Sequence, residues 1–583
     1  MSDSTPDAST PDVSTPDGDG PQEVDRSLDH DDRLGPAQRA LAVATLQATT
    51  TQDPLDVLVI GGGVVGCGAA LDAAARGLTV GLVEQTDLAA GTSSRSSRLA
   101  HGGLRYLEQR EFALVREALT ERGLLLNRLA PHLVRPLPFL FPLSKQWERP
   151  YVASGVRLYD LLSRIGSHGG EMPRSQSLNA AEAKERVPDL NTEEVAGAVR
   201  FYDAQIDDAR HTVAVARSAA ARGAHIVTRT RVIGLLRDGD AVVGAKVEDD
   251  LTGERYSIHA RVIIAAVGIW TDDLLRMADP QIPTRVTQSK GVHLVVRGDA
   301  IRSSSAIIAR TPHSVLFLLP WSGTWIVGTT DTPRVDEDLA DPHATEEEID
   351  YLLEQANRWL ERPLTREDVL ATYAGFRPLV AEENDEETTQ VSREHVVFHP
   401  FPGLVAIAGG KYTTYRVMAE DAVDVAVGDL DREEVEASTT AEIPLTGAVG
   451  FADLWADREA IADRAGIPLP LMERLLRRYG SRIGSVLDLI DADPATGEAL
   501  PDGWHLPAEA IVAVTDQGAL DLEDILVRRL RIDPETSDGG RAAAEAILPH
   551  VAPLLGWDAD RARSELERYV EHHETRAPFP ESA

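Results

Sequence analysis

LDVLVIGGGVVGCGAALDAAARGLTVGLVE (Leu55–Glu84) decides the reading of this chain. Its first six residues form a mostly apolar, β-branched run that stops at glycines, the pattern of a strand buried in a parallel sheet. Val64 to Arg76 is Ala-rich and reads as helix; Leu78–Glu84 reads as a second strand. One β-α-β unit is complete within about thirty residues, so the class is α/β. Gly61, Gly63 and Gly66 make G-x-G-x-x-G directly after the strand and before the helix. The first glycine permits the tight turn, the second lets backbone approach a pyrophosphate, and the third lets helix and strand pack closely. The helix N-terminus then offers free N–H groups and partial positive charge to phosphates. Glu84 ends the second strand, where its carboxylate can accept from a ribose diol and disfavours a 2′-phosphate. Cys67, next to the third glycine, reads better as a small residue packed under the helix start than as a redox thiol.

The glycine motif alone does not separate NAD from FAD. Val405–Gly410 (VAIAGG) is a further strand ending in glycines, with helix from about Thr413. A helix N-terminus there could face the pyrimidine end of a flavin and stabilise negative charge on the reduced ring. The motif also opens the folded body, and an antiparallel sheet interrupts the domain after it. Both features favour FAD.

Outward from this unit, 583 residues allow about three or four domains. Hydrophobic residues are 43% and charged residues 26%, enough for a sizeable core. Fifty-eight bases against 94 acids give a net charge of −36, which argues against a nucleic-acid partner. The single cysteine excludes an intrachain disulfide and a cysteine-based zinc site, and fits a reducing compartment. No apolar run is long enough to span a bilayer, and no secretory signal is evident, so membrane contact is expected to be peripheral. The first 34 residues repeat Ser-Thr-Pro-Asp at Ser4, Ser9 and Ser14 and hold ten acids against two bases; they read as a disordered acidic tail. Thr212–Arg222 reads as helix, and Ala224–Leu236 and Arg261–Gly268 as strands of the same sheet. Residues 285–332 alternate as short strands of an inserted antiparallel sheet, and from about Ser438 the pattern turns helical.

GTSSRSSRLAHGGLRYLE (Gly91–Glu108) brings hydroxyl side chains, then His101, Arg105 and Tyr106 around a Gly-Gly turn. Together with LLPW (Leu318–Trp321), GTTDT (Gly328–Thr332), AGFRPL (Ala374–Leu379), GGKYTTYR (Gly409–Arg416) and the stretch Glu509–Ile532, it resembles the FAD-dependent, respiratory glycerol-3-phosphate dehydrogenases. The resemblance runs from about Leu55 to the C-terminal helices. It implies a Rossmann-like FAD-binding domain of the glutathione-reductase/D-amino-acid-oxidase type (55–150, 205–284 and 375–430). It also implies a substrate domain (151–204 and 285–374) and a C-terminal helical cap (438–575). The activity implied is oxidation of sn-glycerol 3-phosphate to dihydroxyacetone phosphate, by hydride transfer from C2 to flavin N5, with electrons passed to a membrane quinone. An oxidase using oxygen on the same scaffold is the alternative; a flavin sensor without turnover fits the cationic set less well.

By the same resemblance His101, Arg105, Tyr106 and Arg377 are the catalytic set, and Arg105, Tyr106, His293, Arg377, Lys411 and Thr413 bind substrate. Gly61, Gly63, Gly66, Glu84, Thr92, Ser93, Ser94, Gly268, Gly410, Lys411, Thr413 and Thr414 bind the cofactor, and no metal is expected. A phosphate dianion suits planar Arg donors plus a Lys point charge. The C2 hydroxyl needs a base within hydrogen-bond reach: His101, His293 or Tyr106. Arg377, between Phe376 and Pro378, reads as part of an ordered buried turn. Lys290 reads equally as a phosphate contact or a solvated side chain, and Asp207, Asp208 and Arg210 as an N-cap and first turn. Val267 stands where the family usually carries a threonine, and the acidic N-terminal extension is longer than usual. His132–Ile165 holds five bases (Arg135, Lys145, Arg149, Arg157, Arg164) against two acids, with Phe139, Phe141, Trp147, Tyr151 and Tyr159 interleaved. It reads equally as a dock for an anionic lipid surface and as substrate-domain packing. The expected location is cytoplasmic, peripheral on the inner face of the cell membrane; a homodimer stays open.

Overall fold

The computed structural model describes residues 31–108, 110–145, 147–165, 172–311, 315–333, 338–380, 394–430, 432 and 434–576. The central strand Leu55–Ile60 is buried along its whole length. Because side chains alternate along a strand, Val57 and Val59 enter one core with helices Val64–Ala75 and Tyr415–Asp429. Leu58 and Ile60 enter another, below Ala42 and Leu46 of helix Pro36–Gln47. Parallel neighbours His225–Val227, Val80–Val83, Arg255–Ala265 and Leu404–Gly409 complete this sheet, with antiparallel His395–Phe401 at its edge. Ala224–Leu236, expected as a strand pair or one long strand, divides into His225–Val227 and Thr230–Asp238, the latter in a meander with Ala241–Asp249 and Arg255–Ala265.

The second sheet has ten strands and draws on more of the chain than the insertion. Val134–Leu143 pairs with Gly197–Ile206 over ten positions, and Val369–Val380 runs against Val286–Arg297. Residues 134–143 and 375–380, assigned from sequence to the FAD-binding domain, therefore lie in this sheet. Arg377 sits on one of its strands opposite Ser289, not in a turn.

The C-terminal helices build two cores of their own, around Ile525 and Ile547 and around Met472 and Leu475. Buried and partly buried ions dock them on the first domain: Asp87 receives Arg528 at 2.6 Å and Arg529 at 2.8 Å, and Arg229 reaches Asp521 and Asp524 at 2.6 and 2.7 Å. Removing one partner from such a pair costs about 3–5 kcal/mol, because the other charge is stranded. The tail expected over residues 1–34 lies outside the described residues up to 30. Within its last four residues Asp32 and Leu34 are tied to the folded body: the Asp32 carboxylate accepts from Arg217 at 3.0 Å, and the Leu34 amide donates to the Asp516 carbonyl at 3.0 Å.

Candidate active site

A cavity of about 1220 Å³ runs from the C-terminal ends of the parallel strands into the second sheet. That exceeds the usual ~300–1,000 Å³ of a small-molecule site, leaving room for a dinucleotide and a substrate together. At one end lies the glycine loop. Gly61 has φ +111°, and a Cβ there would stand 2.5 Å from the Ala266 carbonyl; a Cβ on Gly66 would stand 2.0 Å from the Gly61 carbonyl. Only glycine keeps the loop this close to the sheet. The Gly62 and Thr86 amides donate to the two Glu84 oxygens at 2.7 and 2.8 Å, fixing the carboxylate at the cavity wall. Burial pushes its pKa up from the ordinary value. Ser93 Oγ accepts from the Val64 amide at 3.0 Å, and Thr92 donates to the Phe376 carbonyl at 2.7 Å. The 92–93 segment thus ties the glycine-loop helix to the Arg377 strand. Gly66, Ser94 and Thr414 stand one layer behind the wall. The Ser94 carbonyl accepts from Arg531, and Thr414 turns its hydroxyl to the Lys411 carbonyl. Cys67 is buried, its thiol pushed up by desolvation; the packed reading holds.

At the other end the cationic residues meet. Arg377 donates to Thr329 Oγ1 and the Thr330 carbonyl at 3.2 Å each, and pairs with Asp331 at 3.4 Å. Gly291 makes that seat: a Cβ there would lie 2.6 Å from Arg377 Nη2. Lys411 Nζ sits 3.8 Å over the Tyr106 ring. The His101 amide donates to Thr413 Oγ1 at 3.1 Å, joining the His-Gly-Gly turn to the Lys411 segment. His293 stacks on Tyr373 with centroids 4.7 Å apart, and its Nε2 meets Ser97 Oγ at 2.8 Å. Its Nδ1 has no hydrogen-bond partner among the described residues. Burial, then Arg377 and Arg98, pushes this imidazole down to about 3, so it is neutral at working pH. Gly268, Gly410, His101, Tyr106, His293, Arg377, Lys411 and Thr413 all face the one cavity. The Arg105 side chain lies outside the described residues.

Lys290 is buried and paired with Glu348 at 3.0 Å, neither solvated nor in the cavity. Asp207 is the N-cap, accepting from the Arg210 amide at 3.3 Å, but Asp208 does more than fill a first turn: its carboxylate binds Ser96 and Arg531. Thr329 and Asp331, which hold Arg377, were quoted in GTTDT without a role; their signal was the string itself.

Beyond Tyr106 the cavity continues as an apolar arm between Leu104, Leu107, Phe141 and Val156. It reaches the surface at Phe112, Tyr151 and Leu158, which are 48%, 62% and 38% exposed. Helix Glu148–Ile165 carries two of these and also bears exposed Leu161 and Arg157, next to exposed Trp147. Of the aromatics in this stretch, Phe139, Phe141 and Tyr159 are core. Among the described residues no helix is long and apolar enough to cross a membrane.

The profile of the FAD dependent oxidoreductase family matches residues 56–416, and that of the C-terminal domain of alpha-glycerophosphate oxidase matches 438–562. The chain is 49% identical over 538 residues to glycerol-3-phosphate dehydrogenase of Mycobacterium leprae, covering 92% of this chain and 90% of that protein. It is 36% identical over 558 residues to the mitochondrial glycerol-3-phosphate dehydrogenase of Rattus norvegicus, covering 91% and 74%. Its fold superposes on the Bacillus halodurans glycerol-3-phosphate dehydrogenase complexed with FAD with a TM-score of 0.75 at 29% identity, over 94% of this chain and 99% of that one. The chain belongs to the FAD-dependent oxidoreductases and, among them, to the glycerol-3-phosphate dehydrogenases.

Proposed function

We propose that sn-glycerol 3-phosphate is oxidised at C2 in the chamber between Tyr106, Arg377 and Lys411, and that the electrons leave to a membrane quinone arriving through the apolar arm. When bound, FAD supplies the two-electron, hydride-accepting chemistry. The chain's residues do the rest. The glycine loop and the N-terminus of helix Val64–Ala75 take the pyrophosphate, and Glu84 the ribose diol. Arg377 and Lys411 hold the substrate phosphate as a planar fork and a point charge. The C2 hydroxyl proton passes to a base on the chamber wall, which His101 and Tyr106 line together with His293. The N-terminus of helix Tyr415–Asp429 offsets negative charge developing near Lys411.

The observation that carries the acceptor assignment is the continuity of one cavity from the cationic chamber to an exposed apolar face. A lipid-dissolved acceptor needs such a route; a small gas molecule does not. The same face, with Lys145 and Arg157 beside it, supports peripheral docking on the anionic inner surface of the cell membrane from the cytoplasm. Anaerobic stopped-flow tests both halves. Arg377→Ala raises the substrate concentration needed for flavin bleaching while FAD stays bound; loss of FAD instead overturns its assignment. Leu158→Glu leaves bleaching by glycerol 3-phosphate intact but slows reoxidation by a short-chain quinone. Unchanged quinone reoxidation overturns the arm as the acceptor route, and peroxide release as fast as quinone reduction turns the assignment to an oxidase.

A further inference from the structure

Both walls of the chamber are held by one buried residue outside it. Asp208 is 0% exposed and opens helix Asp208–Ala220. Its Oδ2 accepts from the Ser96 amide and hydroxyl at 3.0 and 2.7 Å. Its Oδ1 accepts from Arg531 Nη2 at 2.5 Å and from the Ala209 amide at 2.9 Å. Its carbonyl accepts from the Tyr412 hydroxyl at 2.5 Å. Ser96 belongs to the 92–97 wall. Its carbonyl receives the Tyr373 hydroxyl at 3.0 Å; Tyr373 stacks on His293, and Ser97 meets the same imidazole at its Nε2. Tyr412 lies between Lys411 and Thr413, which with it line the cavity. Arg531 comes from the C-terminal helices, is 2% exposed, and also donates to the Ser94 carbonyl from both Nη atoms at 3.2 Å.

We propose that Asp208, clamped by Arg531 from the C-terminal domain, is the positioning residue that sets the His293 wall and the Lys411 wall of the chamber in register. The proposal rests on the chamber being the catalytic site. A carboxylate has about four acceptor sites, and here four donors fill them from three parts of the chain: two from Ser96, one from Ala209 and one from Arg531. The charge is what allows this crowding, since a bound guanidinium strengthens rather than competes with the Ser96 contacts. Arg531, which does not line the cavity, therefore acts on the catalytic apparatus from behind it. A positioning residue of this kind acts mainly on rate, because displacing a reacting group by about 1 Å costs about 100-fold, and on affinity only through Lys411, since Arg377 is seated on Thr329 and Thr330.

The test is anaerobic flavin reduction by glycerol 3-phosphate in the FAD-loaded full chain, resolving the limiting rate from the dissociation constant. Arg531→Met is expected to lower the limiting rate by about 100-fold, keep FAD bound, and weaken substrate affinity by less than about tenfold. Arg531→Lys, which can meet Asp208 or Ser94 but not both, is expected to fall between. Arg229→Met crosses the same domain boundary to Asp521 and Asp524 without touching Ser96 or Tyr412, and is expected to change the rate by less than about threefold. If Arg531→Met follows Arg229→Met, or weakens affinity and spares the rate, the proposal fails. Should Arg531→Met not fold, Ser96→Ala decides, since it removes one hydroxyl and keeps the ion pair. A fall of about tenfold supports the proposal and an unchanged rate overturns it. Arg377→Ala in the same assay reports on the chamber itself: unaltered substrate affinity there sinks the chamber assignment whatever Arg531 does.

Discussion

Gly291 offers the sharpest handle on the phosphate seat, because the change is one methyl group on a strand facing the residue in question. A Cβ there lies 2.6 Å from Arg377 Nη2 and 2.7 Å from Thr329 Oγ1. Ordinary contact begins at 3.4 Å, so the guanidinium must retreat about 0.8 Å from its present place. Its two 3.2 Å bonds, to Thr329 Oγ1 and the Thr330 carbonyl, do not survive that retreat with useful geometry. Gly291 is paired to Gly375 inside a regular ladder and has no left-handed φ, so alanine fits its backbone. A charge-assisted hydrogen bond is worth about 1.5–3 kcal/mol. Losing one such contact from Arg377 to the substrate phosphate raises the dissociation constant by about 10- to 150-fold. Anaerobic titration of flavin bleaching with glycerol 3-phosphate, with FAD content and thermal midpoint measured on the same sample, checks it. Unchanged affinity in Gly291→Ala with FAD retained would refute the reasoning, because it would mean that the Arg377 guanidinium does not bear on the phosphate.

Glu84→Ala removes the acceptor held by the Gly62 and Thr86 amides; FAD retention on desalting falls in the order wild type, Glu84→Gln, Glu84→Ala, and equal retention contradicts the ribose role. Burial holds the imidazoles of His132, His211 and His293 down at about 3, against an ordinary value near 6.5. Unfolding therefore takes up protons between those values, and stability falls as pH drops through that window, by up to about 1.4 kcal/mol per pH unit for each group. His505, also held down by burial, adds to this, while Asp521, Glu84, Asp72 and Glu117, all pushed up by burial, oppose it; a thermal midpoint constant from pH 7 to pH 5 contradicts the dominance of the imidazoles. Lys145→Glu with Arg157→Glu weakens co-sedimentation with anionic vesicles, whereas Arg149, already bonded to Ser177 Oγ at 2.7 Å, contributes less; unchanged binding of the pair variant refutes the docking face.

The parts of this molecule that could be read from the sequence are those whose physics is local. Leu55–Ile60, Gly61 and Gly66 act within thirty residues, and the structure has the buried strand and the tight loop where that spacing put them. Val134–Leu143 escaped that reading although it is among the longest strands, because Pro136, Pro138 and Pro142 break the usual signature. The three prolines share parity, so their missing N–H groups all point to one edge, where Ala306–Arg310 pairs at only two positions. The other edge carries the full ladder to Gly197–Ile206. Lys290 misled for the opposite reason: its neighbours in sequence are polar, and only the fold brings Glu348 to it across 58 residues. Asp208 joins both cases. Its sequence position is that of an ordinary first-turn acid, favourable to the helix dipole, and nothing nearby marks it as more. What raises it is a guanidinium 323 residues away, on helices whose own pattern speaks only of packing. A side chain that orients an active site from behind is chosen by three-dimensional satisfaction of its lone pairs, and that property has no period along a chain.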